Sequence, residues 1–566
     1  MAFSENREDQ NTFRISRFRM GLVWLVLFLA TSALVARLLW IQVLHPDPLI
    51  KAGDDRIVRN YNYMPPRGTI YDRNGTLLAI SIPVKIIEGD AQRFHEYGIY
   101  DKKEVMAEIA KILNVETSWL YEKLKDSSRR RVPLVKALEP DRALKLEKLA
   151  KDCFIISDSY KRSYPTGFVN ASLVGILDGQ GNGIYGVEQS FNSYLTAQGS
   201  VTKMRKDRYN NVIESIGTVK ESSPGGNLIL SIDERLQSLA YSELEKTVNF
   251  HKADCASAVL IDVKTGEILC MANYPSFDPN DRSVFDPSKA KNISVTDNFE
   301  PGSTVKPIVA LAALEDGAVN WREVFDTRPF KVDGKLVRDS HSMDSGTLLD
   351  IIKYSSNTGM AHISMEIGPH KIMNLLERFG FGSRTASGLT GESSGILRSN
   401  RPFWAEIDKA TLGFGYGISV TNLQLTSAYA TLANDGLKHQ VSILKLKTPD
   451  EGHQVLDRGH VMRMQNAMES VVAEGTGKKA AINRYRVAGK TGTAKIAASG
   501  TYSSLYMSTF AGFAPIGNPR FAMVVVVKAP REGGFYGGTV SGPAFSEVMS
   551  RALQLYNVPP DRKLED

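Results

Sequence analysis

Three short motifs, each built around a hydroxyl or a lysine, follow one another along the chain. Their residues are Ser303 and Lys306 in Ser-x-x-Lys, Ser355 and Asn357 in Ser-x-Asn, and Lys490-Thr491-Gly492-Thr493. Together they offer a nucleophile, a base and donors for an anion, which acyl transfer through a serine ester requires. Each motif also recurs elsewhere: Ser-x-x-Lys at residues 200–203, 288–291 and 442–445, Lys-Thr-Gly at 264–266, and Ser-x-Asn at 190–192. Their order and local context must therefore distinguish them.

The sequence around Ser303 favours it as the nucleophile. Residues 299–314 predict a loop that breaks into a buried, Ala-rich helix, with Gly302 and Ser303 at its start and Pro307 within the tolerated first turn. Because residues three apart share a helix face, we expect Lys306 to point at the Ser303 hydroxyl. Desolvation at such a place lowers the pKa of a lysine from about 10.4, so that a neutral amine is available as a base.

The two Lys-Thr-Gly copies have different surroundings. Residues 264–266 lie between two apolar runs and predict a hairpin turn. Lys490 instead follows residues 485–488, at the expected start of a strand. Strands such as 257–262 and 521–528 bracket a long helical middle, which predicts an α/β domain whose sheet is built from both ends.

Composition limits the class of protein. The chain has 566 residues, of which 42% are hydrophobic and 23% charged, so it is globular and should hold two or three domains. The net charge of +7 is modest, and aromatic residues are not interleaved with basic ones, so we exclude nucleic-acid binding. The nine histidines are scattered without zinc-ligand spacing, and we expect no metal or other cofactor.

The three cysteines, Cys153, Cys255 and Cys270, do not form a disulfide framework. Cys255 and Cys270 flank the predicted hairpin at unpaired positions. Their offset along the strands places them roughly 16 Å apart, which is too far for a bridge.

Residues 20–44 predict a membrane anchor. These 25 residues would form a helix of roughly 37 Å, enough to cross a hydrocarbon core of about 30 Å, and Arg37 should snorkel or face a partner helix. Arg14, Arg17 and Arg19 precede the stretch, which leaves residues 1–19 in the cytoplasm. The alternatives are a signal peptide cleaved near Ala33 and a buried core helix, but the length of the stretch favours an uncleaved anchor.

The remaining chain divides near residue 226. Residues 57–90 predict a strand, an Asn-Gly turn and a second strand, and residues 101–152 a small helical insertion whose apolar stripe is ordinary core. Residues 221–226 have the composition of a linker. We therefore expect a non-catalytic domain at 45–226 and a catalytic domain at 227–566.

With these motifs the chain resembles class B penicillin-binding proteins, the peptidoglycan D,D-transpeptidases, and in particular their division-specific, FtsI-type branch. The matching stretches are residues 66–75, Tyr164-Pro165, Gly186-Val187-Glu188, Asp233 with Leu236-Gln237, and residues 299–307, 413–417 and 536–538. Residues 205–209 and 231–237 resemble the FtsI-type branch. Asn422 departs from the family, which usually has proline there. Arg67, Asp72 and Glu188 are expected to be salt-bridge or turn residues.

The resemblance implies a fold and a mechanism. The fold is an α/β penicillin-binding transpeptidase domain, with a central antiparallel sheet and helices on both sides, preceded by an elongated α+β pedestal and one transmembrane helix. Ser303 would attack a stem pentapeptide, with Lys306 as base, Ser355 passing the proton to the leaving D-alanine and Asn357 holding the substrate amide and Lys306. Lys490 and the hydroxyls of Thr491 and Thr493 would bind the terminal carboxylate.

The resemblance also implies further site residues, partners and a location. The backbone N–H groups of Ser303 and Thr493 would form the oxyanion hole, with Gly492 between the carboxylate-binding threonines. Phe535 and Tyr536 would wall the cleft or pack at a strand end. The expected partners are stem peptides, β-lactams, a SEDS-type glycosyltransferase and other divisome membrane proteins. The expected location is the inner membrane of a bacterium, with a periplasmic catalytic domain at the septum.

Other functions share parts of this pattern. An elongation-type transpeptidase is the main alternative. A β-lactamase of the class A type needs a glutamate to deacylate, and no Glu-x-x-x-Asn stretch lies between Ser355 and Lys490. A β-lactam sensor would need further membrane segments and a signalling domain. A division scaffold whose chemistry is incidental also stays open.

Overall fold

The computed structural model describes residues 16–206, 212–283, 285–498 and 501–562. Arg14 of the predicted positive flank and residues 207–209 of the FtsI-like stretch lie outside these ranges. Contacts divide the chain into two units, Met1–Pro65 with Gln198–Ser223, and Pro66–Ala197 with Pro224–Asp566.

The first unit begins with one long apolar helix. An α-helix at Arg17–Leu39 continues as a π-helical turn at Trp40–Leu44, and an 18-residue window within them reaches a mean hydropathy of 2.2. Their 28 residues span about 42 Å at ~1.5 Å per residue. The helix is long and apolar enough to cross a membrane, as predicted. None of its described side chains is buried in the protein, so its apolar surface is free to contact lipid.

The same unit holds a small sheet. After the helix Asp47–Ile57, the strands Val58–Tyr63, Ser200–Lys206 and Val212–Lys220 pair antiparallel in that order. Arg205, on the central strand, forms ion pairs with Asp54 at 3.2 Å and Glu214 at 2.8 Å. Val58–Tyr63 thus pairs with a strand more than a hundred residues away and is not part of the predicted hairpin.

The second unit starts with the rest of that hairpin. Ile70–Tyr71 pairs antiparallel with Leu77–Gly89, and Asp72 accepts the N–H groups of Asn74 and Thr76 across the turn, at 2.8 and 2.7 Å. Gly75 has a φ of 91°, which its lack of a side chain permits. Leu77–Gly89 also pairs with Val132–Leu138 and Phe154–Ser163, and Ile70–Tyr71 with Leu228–Ile229.

Three helices and one strand lie within residues 101–152, where a helical insertion was predicted. Helices occupy Lys103–Leu113, Thr117–Leu124 and Pro140–Leu149 and enclose their own core, with Ile109, Leu113 and Leu120 buried. Prediction missed the strand Val132–Leu138, because its pattern is short and only the partner strand stabilises it. The shorter helices of this region are Ala91–Glu96, Gly167–Val169, Ala171–Val174, Gly186–Ser190 and Asn192–Leu195.

Glu188 joins two arginines inside this region. Its carboxylate, which is fully buried, pairs with Arg67 Nε and Arg162 Nε, each at 2.7 Å. Arg67 also donates to the Glu188 carbonyl at 3.0 Å. The structural roles predicted for Arg67, Asp72 and Glu188 are thus confirmed.

The later part of the unit is built on a five-stranded sheet. Its strands, numbered in chain order, are β1 (Cys255–Asp262), β2 (Ile268–Tyr274), β3 (Ala488–Ala498), β4 (Thr501–Ala514) and β5 (Phe521–Lys528). They pair antiparallel in the order β2-β1-β5-β4-β3, which leaves β3 at an edge. Residues 264–266 form the hairpin turn between β1 and β2, as predicted, and the sheet is built from both ends of the region.

Helices cover both faces of this sheet. The helices used below are α1 (Glu234–His251), α2 (Lys306–Asp316), α3 (Leu348–Tyr354), α4 (Asn357–Ile367), α5 (Asn422–Ala433) and α6 (Gly542–Leu555). Side chains alternate along β1, so Val259 packs in a core with α2 and α5, and Leu260 in a second core with α1 and α6. Burial on both faces explains why β1 and β5 are almost wholly apolar.

Further helices and strands complete the region. The helices are Pro287–Ala290, Ile293–Thr296, Gly302–Val305, Pro369–Phe379, Glu406–Leu412, Arg458–Ala473, Lys478–Ala480 and Gly537–Val540. The strands are Val324–Asp326, Phe330–Val332, Lys335–Val337, Ser345–Thr347, Leu437–Lys438 and His453–Gln454. Asn422, at the start of α5, is buried and donates to Ser257 Oγ at 2.9 Å, so a polar contact with β1 replaces the usual proline.

Candidate active site

Ser303 lies where the chain enters α2. Residues Gly302–Val305 form a 3-10 turn, and α2 continues from Lys306, so the predicted helix start is confirmed with a tighter first turn. Gly302 has a φ of 53° and donates its N–H to the Gly415 carbonyl at 3.4 Å. The buried Tyr429 hydroxyl donates to the Thr304 carbonyl at 2.7 Å. These contacts anchor the turn and leave Ser303 half-buried.

Lys306 is fully buried and bridges to the second motif. Its Nζ donates to the Ser355 carbonyl at 2.6 Å, to Asn357 Oδ1 at 2.8 Å and to Ser355 Oγ at 3.2 Å. Within the described residues, no hydrogen bond joins Nζ to Ser303 Oγ, in contrast to the expected direction of this side chain. The reason is that the Ser-x-Asn segment presents three oxygen acceptors to Nζ, and the buried side chain turns towards them.

Burial also sets the protonation of Lys306. Desolvation holds the pKa of Lys306 well below its ordinary value, the positive charge of Lys490 lowers it further, and Asp339 opposes the shift. The direction is the one expected from the sequence. A neutral amine at this position can accept a proton, which a surface lysine at neutral pH cannot.

The Ser-x-Asn motif occupies the junction of two helices. Helix α3 begins with a capping box between Thr347 and Asp350 and ends at Ser355, which has a φ of 63°. Helix α4 begins at Asn357, after Ser356 caps it by accepting the N–H of Gly359. This sharp junction aims both Ser355 and Asn357 at Lys306.

Lys490 and Gly492 lie on the edge strand β3. The strand begins at Ala488, as predicted, and Lys490 is fully buried, which lowers the pKa of its ammonium group to about 7. Its Nζ donates to the Thr491 carbonyl at 3.3 Å. A Cβ on Gly492 would lie 2.8 Å from Thr304 Cγ2 and 3.1 Å from the Pro301 carbonyl oxygen. Glycine thus lets β3 approach the turn that carries Ser303.

The hydroxyls of β3 are already hydrogen-bonded. Thr491 Oγ1 lies 2.8 Å from Thr476 Oγ1, and Thr493 Oγ1 accepts the N–H of Gly537 at 3.1 Å. Tyr536 directly precedes Gly537, and its side chain is 53% exposed. Its ring lies 4.6 Å from that of Phe535, which stacks on Tyr506. The structure therefore places Tyr536 on the exposed segment next to Thr493.

Sequence reasoning missed one carboxylate at this site. Asp339 accepts hydrogen bonds from the N–H groups of Asn357 and Thr358, at 2.5 and 3.0 Å. Its loop carries no motif, and only the fold brings it to the start of α4. Among the described residues, no group of three His, Cys, Asp or Glu side chains could hold a metal ion, and Cys153, Cys255 and Cys270 are free thiols.

Comparisons with known proteins cover almost the whole chain. Residues 62–230 match the family "Penicillin-binding Protein dimerisation domain", and residues 256–550 match "Penicillin binding protein transpeptidase domain". Peptidoglycan D,D-transpeptidase FtsI of Escherichia coli K12 is 40% identical over 98% of this chain and 94% of its own. Probable peptidoglycan D,D-transpeptidase PenA of Neisseria meningitidis is 34% identical over 97% and 94%.

Solved structures share the fold. A peptidoglycan synthetase from Bifidobacterium adolescentis has a TM-score of 0.70 at 27% identity and covers 90% of this chain and 98% of its own. Penicillin-binding protein 3 from Mycobacterium tuberculosis has a TM-score of 0.67 at 25% identity and covers 88% and 98%.

The antiparallel sheet covered by helices on both faces, together with the match to the transpeptidase domain, identifies a serine-type acyl transferase. The chain belongs to the penicillin-binding proteins. Within that family it is a peptidoglycan D,D-transpeptidase of the class B, FtsI type, carrying one apolar N-terminal helix that fits a membrane anchor.

Proposed function

We propose that Ser303 is the nucleophile of peptidoglycan cross-linking and that Lys306 is its base. Ser303 Oγ attacks the carbonyl of the penultimate D-alanine of a stem pentapeptide, and its proton passes to the neutral Lys306 amine. Ser355 relays a proton to the departing D-alanine, since its Oγ lies 3.2 Å from Lys306 Nζ. An ester to Ser303 and a free D-alanine result.

The β3 segment supplies the binding groups in this proposal. Lys490, Thr491 and Thr493 hold the terminal carboxylate, and Gly492 keeps the strand close to the Ser303 turn. The backbone N–H groups of Ser303 and Thr493 stabilise the oxyanion that forms in the transition state. Asn357 holds the substrate amide while its Oδ1 retains Lys306, and Tyr536 lines the cleft. An amine from a neighbouring stem peptide then attacks the ester carbonyl, the bond to Ser303 Oγ breaks, and the proton of the amine returns through Lys306 to Ser303, which leaves an amide cross-link and the free enzyme.

The bridge from Lys306 to Ser355 and Asn357 is the observation that carries this proposal, because it joins two of the three motifs around one desolvated amine. The test is covalent labelling of the detergent-solubilised full chain with fluorescent penicillin. Ser303→Ala should abolish the label. Ser288→Ala, at another Ser-x-x-Lys copy, should leave it unchanged. Equal labelling of Ser303→Ala would overturn the assignment.

We also propose that the enzyme works at the division septum, with its catalytic region in the periplasm. The FtsI relatives and the apolar N-terminal helix support this location. The proposed partners are a SEDS-type glycosyltransferase and other divisome membrane proteins. A fluorescent fusion in dividing cells should concentrate at mid-cell and co-purify with such a glycosyltransferase. Signal along the lateral wall would favour an elongation role instead.

A further inference from the structure

Asp339 receives four hydrogen bonds from the start of helix α4. It lies in the loop between strands Lys335–Val337 and Ser345–Thr347. Its Oδ1 accepts the N–H groups of Asn357 and Thr358, at 2.5 and 3.0 Å. Its Oδ2 accepts the hydroxyls of Ser356 and Thr358, at 2.5 and 2.8 Å. One carboxylate therefore binds three consecutive residues of the Ser-x-Asn junction.

The Asp339 carboxylate stabilises the start of helix α4. The first N–H groups of an α-helix lack partners within the helix, and the helix dipole favours a negative charge there. Ser356 caps α4 in the usual local way, through Gly359. Asp339 adds a second cap from a distant loop, and it satisfies the N–H of Asn357 itself.

The same loop fixes the orientation of the Asn357 amide. Asn357 Nδ2 donates to the Arg338 carbonyl at 3.3 Å, which leaves Oδ1 to accept the bond from Lys306 Nζ at 2.8 Å. An amide group has one acceptor and one donor end, so holding the Nδ2 end decides what the Oδ1 end faces. Residues 338 and 339 thus hold both the backbone and the side chain of Asn357.

We propose that Asp339 is a positioning residue for acylation of Ser303. It holds the first turn of α4 so that Asn357 Oδ1 and the Ser355 carbonyl stay on Lys306 Nζ. This inference rests on the proposed function, since it assigns a support to the base of that mechanism. Asp339 itself touches none of the reacting atoms.

The test compares acylation rates of three variants in the full, detergent-solubilised chain. Asp339→Ala removes all four bonds, whereas Asp339→Asn keeps an oxygen for the two N–H groups and removes the charge. Glu392→Ala is the matched control, because Glu392 also accepts two backbone N–H groups and two hydroxyls, from Thr385, Ala386 and Ser387. Neither Glu392 nor its three donor residues belong to the catalytic motifs.

We expect Asp339→Ala to slow acylation by fluorescent penicillin at least about tenfold at a temperature where the protein is folded. Asp339→Asn should slow it by no more than about threefold at pH 8. Glu392→Ala should lower the melting temperature without changing the acylation rate per folded molecule. Wild-type acylation by Asp339→Ala would overturn the proposal.

The pH profile separates positioning from a merely structural role. The charged groups that act on Lys306 are Lys490, which lowers its pKa, and Asp339, which raises it. Both Asp339 variants should therefore shift the acid limb of the acylation rate to lower pH, and Glu392→Ala should not. If Asp339→Ala fails to fold, an unchanged acid limb in Asp339→Asn overturns the proposal. Label that persists in Ser303→Ala would instead refute the proposed nucleophile, so the two failures are distinct.

Discussion

Lys490 lies close enough to Lys306 for its positive charge to lower the pKa of the Lys306 ammonium. Both side chains are fully buried, and burial brings the pKa of Lys490 to about 7. The proposed mechanism requires different protonation states of the two lysines. Lys306 must be neutral to act as a base, and Lys490 must be charged to bind the terminal carboxylate of the substrate. Placing the two lysines together favours the neutral form of Lys306 whenever Lys490 is protonated.

Lys490→Met should move the acid limb of the acylation rate to higher pH. The substitution removes the charge that lowers the pKa of Lys306, so a smaller fraction of Lys306 is neutral at any given pH. The rate is measured at saturating penicillin, because the loss of the Lys490 charge also weakens binding of the penicillin carboxylate. An acid limb that stays in place or moves to lower pH would contradict the coupling.

Gly492→Ala should reduce acylation at least about tenfold while lowering the free energy of unfolding by about 1–3 kcal/mol. The new Cβ would lie 2.8 Å from Thr304 Cγ2 and 3.1 Å from the Pro301 carbonyl, so β3 and the Ser303 turn must separate. Gly179→Ala is the control, because its Cβ would meet nothing within 4 Å. An unchanged acylation rate in Gly492→Ala would show that the strand adjusts without moving the turn.

Glu188→Ala should lower the free energy of unfolding by about 3–5 kcal/mol, because it leaves the buried guanidinium groups of Arg67 and Arg162 without their carboxylate. Chemical denaturation measures the change. The control is Glu88→Ala, which removes the ion pair between Glu88 and Arg131. Because Arg131 is 66% exposed, this variant should lower the free energy of unfolding by less than about 1 kcal/mol. A loss of similar size at both positions would argue against a special role for burial.

The penicilloyl adduct should persist for at least tens of minutes. Deacylation needs an activated water, and the carboxylate bound to the Ser-x-Asn junction, Asp339, is already held by four donors. A barrier only about 4 kcal/mol above that of an efficient β-lactamase slows release roughly a thousandfold. Intact-mass spectrometry after removal of free penicillin measures the lifetime. Release within seconds would identify a hydrolase.

Protease added to spheroplasts should degrade the bulk of the chain and spare an N-terminal fragment that includes Arg17–Leu44. The physical reason is that the bilayer shields a spanning helix. N-terminal sequencing of the mature protein provides the control. A mature chain that begins near Ala33 would show that the apolar stretch is a cleaved signal peptide.

Several elements follow from the sequence by itself, because their causes are local. The start of α2 at Ser303 and Lys306 depends on a glycine, a proline and an apolar run that are neighbours in the chain. The same holds for the turn at residues 264–266, the start of β3 at Ala488 and the apolar helix Arg17–Leu44. Motif order and local context favour Ser303 over the other Ser-x-x-Lys copies, and its role as the nucleophile stays a prediction.

Only the tertiary structure decided which atoms meet. Lys306 binds acceptors 49 and 51 positions away rather than the hydroxyl three residues before it, because a buried amine group is stabilised by the acceptors that the packed helices place next to it. Asp339 reaches Asn357 across 18 positions, and Val58–Tyr63 pairs with Ser200–Lys206 across more than a hundred residues of chain. Such contacts depend on how segments far apart in the chain pack together. A local pattern of residue types does not specify which distant segment becomes the neighbour.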